Sequence, residues 1–319
     1  MSTSSLMPAS WRGRVRIPAI AAPMFLASNP ALAKACARAG IIGCFPALNA
    51  RSTAGLAEWL DEMQKDLTEQ DAPYGVNLIV HKSNPRMEAD LVEVIKHEVP
   101  LVITSLGAAN DLVDAIHGYG GVVFHDIVSV RHAEKAAKVG VDGLIPVCAG
   151  AGGHAGTINP FALVAEIRSV FPGYIALAGC ISSGRGIAAA RALGADFAYL
   201  GTRFIATQEA SVQPGYKQML VDSSAADVFY TPAISGVPAN FLRPSIVQND
   251  LDPDNLQHEG GIYFGEELTH AKAWKDIWSG GQGTGQIHDV PPAAELCARL
   301  IEEYDDTCRE LASGLTLAD

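Results

Sequence analysis

Short runs that are apolar throughout alternate along this chain with longer amphipathic ones. The apolar runs fall at residues 19–25, 41–46, 74–80, 101–106, 122–128, 143–148, 174–178 and 197–204. Between them lie segments of helical periodicity at 29–39, 53–69, 86–97, 110–117, 130–139, 160–170 and 186–193. A strand without polar alternation is buried on both faces, as parallel strands covered by crossover helices are. Gly40, Gly140 and Gly194 follow helix ends, where a left-handed residue is favoured. Eight such units predict an α/β fold, a (β/α)8 TIM barrel; an open doubly wound sheet is the alternative.

The pattern changes after the eighth strand. Residues 209–285 are richer in polar residues, Pro and Gly, with Thr231-Pro232, Arg243-Pro244 and Asp252-Pro253-Asp254. We expect 1–208 to form the barrel core, 209–285 a small lobe inserted over its mouth, and 286–319 a segment closing the barrel. In that last segment Val290-Pro291-Pro292 opens an amphipathic helix over 293–311. No 20–50-residue repeat beyond the βα unit itself is present.

At 48% hydrophobic and 18% charged residues, neither a disordered chain nor a coiled coil fits. Asp and Glu number 35 against 23 Lys and Arg, a net charge of −12. Nucleic acid and anionic membranes need a basic footprint, so neither is expected as a partner. The six cysteines form no C-x-x-C pair and mostly sit in apolar runs, which reads as a reduced, cytoplasmic protein without a metal site. Arg12, Arg14 and Arg16 precede no leader-like apolar region, and no run reaches membrane-spanning length.

In a barrel the chemistry sits where strands run into the following loops. After the sixth strand comes Cys148-Ala149-Gly150-Ala151-Gly152-Gly153-His154-Ala155-Gly156, in which glycines let backbone approach a flat ligand beside one imidazole. Gly150, Gly152 and Ala155 also fit a dinucleotide fingerprint. We reject it, because the helix starts only at Asn159-Pro160 and no acidic residue follows at the ribose distance. Strand seven ends in Gly179-Cys180 and runs through Ser182-Ser183-Gly184 into a helix; strand eight ends in Gly201-Thr202-Arg203. Glycines, hydroxyls and helix-start N–H groups at these two junctions suit a phosphate monoester. Arg185 and Arg203 lie beside them, either for a second, larger phosphorylated substrate or in surface salt bridges.

Other junctions add Ala22-Pro23-Met24, Asn77, Ser105 and His125-Asp126. Met24 reads equally as core filler or as a ring-packing group. Asn77, between Val76 and Leu78, is a buried amide that needs hydrogen-bond partners. Gln282, within Gly280-Gly281-Gln282-Gly283, reads as linker or lid contact. With no H-E-x-x-H, G-x-S-x-G, Walker loop or Cys/His cluster, redox chemistry on an organic cofactor leads.

Together these motifs resemble the nitronate monooxygenase family: Ala22-Pro23-Met24, Val76-Asn77-Leu78, Gly152-Gly153-His154, Gly194-Ala195-Asp196, Gly201-Thr202-Arg203-Phe204 and Trp278-Ser279-Gly280-Gly281-Gln282-Gly283. The resemblance implies one non-covalent FMN at the barrel mouth. It implies that Gly179, Cys180, Gly201 and Thr202 hold the phosphate, that Ala22, Pro23, Met24 and Asn77 line the ring, and that Gly152 and Gly153 lie against it. It implies His154 as the catalytic base acting on small alkyl nitronates or nitroalkanes, with O2 as oxidant and a carbonyl compound and nitrite as products. Family members more often carry glycine at the position of Cys180, Lys or Gln at Asp126, and alanine at Gly280. NADH:quinone reductases and flavin-dependent enoyl-thioester reductases share the layout, so NAD(P)H is the alternative electron donor. A homodimer is compatible with every one of these readings.

Overall fold

The computed structural model describes residues 7–107, 109–256 and 274–314. Eight parallel strands close into a barrel: β1 (Ala19–Ala21), β2 (Ile42–Pro46), β3 (Tyr74–Ile79), β4 (Leu101–Ser105), β5 (Val122–Ile127), β6 (Gly143–Pro146), β8 (Tyr174–Ala178) and β9 (Phe197–Leu200). β9 returns to β1 with Tyr199 opposite Ile20, so no edge is left unpaired and the open sheet is excluded. The crossover helices are α1 (Pro30–Arg38), α2 (Thr53–Asp66), α3 (Met87–Lys96), α4 (Asn110–His117), α5 (Val130–Val139), α6 (Pro160–Val170) and α7 (Gly184–Ala192). Side-chain caps start five of them: Asn29, Ser52, Ser129, Asn159 and Ser183 each accept from an N–H of the first turn.

Two apolar layers result. Between strands and helices lies the larger core, with Leu32, Val76, Val102 and Leu144 among its members. Inside the barrel, Ile20, Ile42, Ile103, Phe124, Ile145 and Phe197 fill the lower half. Trp11 closes the N-terminal end of the strands, its ring 5.8 Å from that of Phe197 and 6.1 Å from that of Phe124. The floor is therefore plugged by aromatic rings, and only the C-terminal mouth can admit a ligand.

The ends of several elements differ from the expected ones, each for a local reason. β1 stops at Ala21 because Met24 turns the chain: its carbonyl accepts from Ala27 and Ser28, and its N–H donates to Ser28 Oγ. The last barrel strand stops at Leu200, and Thr202–Ile205 form the short helix α8. The helix from Thr53 ends at Asp66, where Asp71 accepts from the N–H and hydroxyl of Thr68 and fixes a turn. The helix expected from Gly186 begins two residues earlier, after Ser183.

Above the mouth a three-stranded antiparallel sheet assembles from β7 (Gly153–His154), β10 (Val228–Thr231) and β11 (Ala239–Leu242), in the order β10-β11-β7. Helices α9 (Pro214–Asp222) and α10 (Arg243–Gln248) flank it, and α11 (Ala293–Ser313) packs on α1 and α7. The α7–α11 contact is backbone-close. A Cβ on Gly184 would lie 2.4 Å from the Leu300 carbonyl oxygen and 2.4 Å from the Tyr304 nitrogen. Gly184→Ala is expected to cost about 1–3 kcal/mol by overpacking; a chemical-denaturation midpoint equal to that of the parent would refute this rigid contact.

Candidate active site

The mouth opens into a cavity of about 1150 Å³ whose wall includes Ala22, Pro23, Met24, Asn77, Asp126, Gly152, Gly153, His154, Gly179, Cys180, Gly201 and Thr202. Eight strands converge there, so residues far apart in sequence meet at one end of the barrel. Of the ring-site, phosphate-turn and lid residues Ala22, Pro23, Met24, Asn77, Asp126, Gly152, Gly153, His154, Gly179, Cys180, Gly201, Thr202 and Gln282, Gln282 alone stays off the wall. Its side chain is exposed, with Oε1 3.9 Å from Cys180 Sγ, while its backbone N–H donates to the Gly150 carbonyl at 2.8 Å.

That bond belongs to a crossing of three loops. Gly281 N–H donates to Thr202 Oγ1 at 2.9 Å, beside Gly152. A Cβ on Gly152 would stand 2.7 Å from Thr202 Oγ1, and one on Gly281 2.8 Å from the Gly150 carbonyl oxygen. The glycines there are a packing requirement.

His154 does not sit on the barrel proper. It occupies β7, opposite Ala239 of β11, and the lobe fixes its loop at three further points. Asn240 Nδ2 donates to the Ala151 carbonyl at 2.7 Å, Tyr230 donates its hydroxyl to the Ala155 carbonyl at 3.0 Å, and Ala155 N–H reaches the Pro238 carbonyl. The Trp274 ring meets the imidazole edge-on, with centroids 5.1 Å apart. His154 Nε2 is buried without a partner, and burial pulls the imidazole pKa down to about 4. The group is neutral at physiological pH.

A relay of polar groups crosses strands β3, β4 and β5. Asn77 Nδ2 donates to the Ile103 carbonyl at 3.1 Å and to Ser105 Oγ at 2.7 Å, and Ser105 donates its hydroxyl to Asp126 Oδ2 at 2.6 Å. Asp126 Oδ1 is buried with no partner, and burial pushes the carboxyl up to about 6, with the Ser105 bond opposing. Tyr199 on β9 shares the wall; burial raises its hydroxyl pKa and the Asp126 charge adds to the effect. His125 beside it shares Nδ1 with Thr104 Oγ1 at 2.8 Å and is also held neutral by burial, near 4.

The phosphate expectations divide. Gly179 and Cys180 adopt φ of +129° and +59°, so the turn after β8 has a glycine-like path although Cys180 carries a side chain. The start of α7 is turned away from any anion in the cavity: Gly184 N–H donates to Glu303 Oε2 at 2.6 Å and Gly186 N–H to Ser183 Oγ at 3.2 Å. Neither arginine reaches the mouth. Arg203 is buried and donates to Asp289 Oδ1 at 2.8 Å, Asp289 being shared with Arg299; Arg185 pairs with Glu310 at the surface. Met24 packs against the core and also lines the cavity. Trp274 and Tyr230, supplied by the lobe, carried no periodic signal that would have found them.

A closed parallel barrel whose glycine-roofed mouth carries on its wall a buried imidazole nitrogen and a buried carboxylate oxygen, each without a partner, is the frame of a barrel enzyme. The description "Nitronate monooxygenase" belongs to the family whose model matches residues 86–303, and the chain belongs to that family of oxidoreductases. A nitronate monooxygenase of Paraburkholderia phytofirmans is 28% identical over 92% of this chain and 94% of its own. A hydroxy-methyl-oxo-octahydro-indene-carboxyl-CoA dehydrogenase of Rhodococcus jostii is 28% identical over 78% of this chain and 67% of its own. Among solved structures, FabK from Thermotoga maritima aligns with a TM-score of 0.78 at 26% identity, covering 94% of this chain and 96% of that one. Nitroalkane oxidase from Streptomyces ansochromogenes, at 22% identity and TM-score 0.81 over 95% and 100% of the two chains, supports the barrel fold. Among the described residues no helix is long and apolar enough to cross a membrane, and no cluster of metal-ligating side chains occurs.

The Asp126 carboxyl holds its proton more tightly folded than unfolded, its pKa rising from 3.8 to about 6. Between those values the native state binds the extra proton, so this group's contribution is complete at low pH and is lost as pH rises through about 6. For cofactor-free protein, Asp126→Asn is expected to remove that loss in denaturation curves taken near pH 4.5 and 7. An unaltered pH difference would mean that the carboxyl is satisfied in solution.

Proposed function

We propose that the mouth holds one FMN and that the enzyme oxidises small alkyl nitronates with O2. The observation that carries the reading is His154 Nε2, buried and unpartnered on the wall of the cavity. The residues present fit a flavin. Ala22, Pro23 and Met24 offer an apolar surface for the ring, and Asp126 Oδ1 lacks the donor that the imide N–H of an isoalloxazine would supply. The backbone at Gly179, Cys180, Gly201 and Thr202 would hold the phosphate. When bound, FMN would accept an electron from the nitronate and return electrons to O2, leaving a carbonyl compound and nitrite.

The chain's own groups set which form of substrate is used. An imidazole with a pKa near 4 is a weak base, poorly matched to removing a carbon-bound proton at neutral pH. It accommodates a substrate that arrives already deprotonated, because an oxyanion against Nε2 raises the imidazole pKa and lets it hold a proton there. The reading therefore favours the nitronate anion over the neutral nitroalkane. Trp274 and the β10–β11 strands keep the ring in place and water away from it.

One observation favours a second reading, NAD(P)H-driven reduction of a quinone or an enoyl-thioester: the cavity runs on past the barrel mouth along α5, where His132, Lys135, Ala136 and Val139 line it. The Rhodococcus jostii relative, named for a carboxyl-CoA substrate, supports the same reading.

Purified protein is expected to be yellow and to release one FMN on denaturation. Anaerobic nitronate should bleach it where NADH and NADPH do not; the reverse pattern selects the second reading, and protein that takes up no FMN sinks both. His154→Gln should lower turnover by roughly 10²–10⁴-fold with FMN content unchanged. In the substrate-free parent the His154 imidazole should titrate well below the ordinary histidine value, towards about 4, when followed by NMR. A midpoint near 6.5 would show the imidazole to be solvated.

A further inference from the structure

Pockets for drug-sized ligands occupy ~300–1,000 Å³, and this one, at about 1150 Å³, has room beyond its ring site. The surplus lies along α5. His132, Lys135, Ala136 and Val139, spaced at i, i+3, i+4 and i+7, all line the cavity, so one face of that helix forms a wall. Leu106 and Gly107 after β4 line it as well. On its other side α5 packs closely on α6.

Charge sets this arm apart. The chain carries a net −12, and many of its cations are tied to carboxylates, as Lys34 is to Glu62 and Asp66, Arg168 to Asp196 and Arg203 to Asp289. Among the described residues Lys135 has no ion pair or side-chain hydrogen bond, nor have Arg131 and Lys138 of the same helix, and the His132 ring has no hydrogen bond or ion pair. Among the described residues Asp126 is the sole carboxyl on the cavity wall, and it is buried. Among its described residues an acidic protein has thus left one arm of this cavity cationic and uncompensated. Arg185 and Arg203, the arginines beside the ring site, are already engaged by Glu310 and Asp289.

We propose that the arm along α5 is a subsite for a diphosphate group, carried by an organic molecule whose reactive end reaches His154. The proposal deepens the oxidoreductase reading and rests on it for the position of the reacting centre. Lys135 and His132 would face the phosphates, and Ala136, Val139 and Leu106 the apolar part of the linker. Two kinds of molecule bear such a group: a nicotinamide dinucleotide and an acyl thioester of coenzyme A. Because Lys135 and His132 are exposed, the attraction is screened by salt.

The test uses FMN-loaded protein, in which the ring site and its phosphate pocket are filled. Titration calorimetry with inorganic pyrophosphate should show saturable binding that weakens with salt, and Lys135→Glu should weaken it at least ~10-fold with flavin content and Tm unchanged. Coenzyme A and NADPH are the two further arms. Tighter binding of one of them than of pyrophosphate, lost in Lys135→Glu, supports the proposal and identifies the carrier. No saturable pyrophosphate binding, or equal binding to Lys135→Glu, overturns it. Protein that takes up no FMN refutes the flavin reading instead, and pyrophosphate titration of that protein against Lys135→Glu still reads the subsite.

Discussion

The hydrogen bond from Gly281 N–H to Thr202 Oγ1, with its neighbour from Gln282 N–H to the Gly150 carbonyl, fixes the roof of the mouth. Three chain segments separated by tens of residues meet there at distances that admit no Cβ. The crossing sets where the loop of Gly152 and Gly153 runs. That in turn sets where β7 can pair with β11, and β7 carries His154. A barrel alone would leave this loop free at the surface, since strand β6 ends at Pro146, eight residues before the imidazole. The lobe strands and the glycine crossing make a loop residue behave as part of a sheet.

Burial then determines the charge state of the mouth. His154 and His125 are held neutral near physiological pH, and Asp126 lies close to its own midpoint near pH 6. The same cause acts with opposite consequence on acid and base, because desolvation penalises whichever form is charged. The result is a mouth of low net charge with two unpartnered polar atoms, Asp126 Oδ1 and His154 Nε2. Such atoms are costly in an empty cavity and become favourable once a ligand supplies the missing hydrogen bonds. The surplus positive charge lies away from them, on α5.

The barrel was legible because its strands are buried on both faces, and that constraint writes itself as continuous apolar runs. The ends of elements were less so. Phe204 continues the apolar run after Leu200, yet Gly201 turns the chain into α8, and hydropathy alone does not separate a buried strand from a buried helical turn. At the site, the glycines and His154 stood out by density, and all the flagged wall residues except Gln282 share one cavity. Trp274, Tyr230 and Asn240 were invisible, since their roles come from antiparallel pairing between segments some 80 residues apart with no local pattern to mark it. The arginines misled for a related reason. Sequence adjacency placed Arg203 beside the phosphate turn, but its side chain points through the wall to Asp289, a partner that only the closing segment before α11 brings near.

The division of labour within the chain bears on how relatives of similar identity come to carry different names. Barrel strands supply the floor of the site, with Ala22, Asn77 and Asp126 on β1, β3 and β5 or just beyond them. The His154 imidazole is held by lobe strands, with the Trp274 ring against it, and the outer arm is formed by the α5 face and the loop after β4. Loops and surface helix faces change with little effect on a barrel's stability, whereas the strand floor is tied to the core through every neighbour. A fold of this kind keeps its ring site while the lobe and the α5 arm are altered, and the identity of the substrate is then decided by those two outer parts. In this chain those two parts bring a neutral buried histidine and the basic face of α5 to the same cavity.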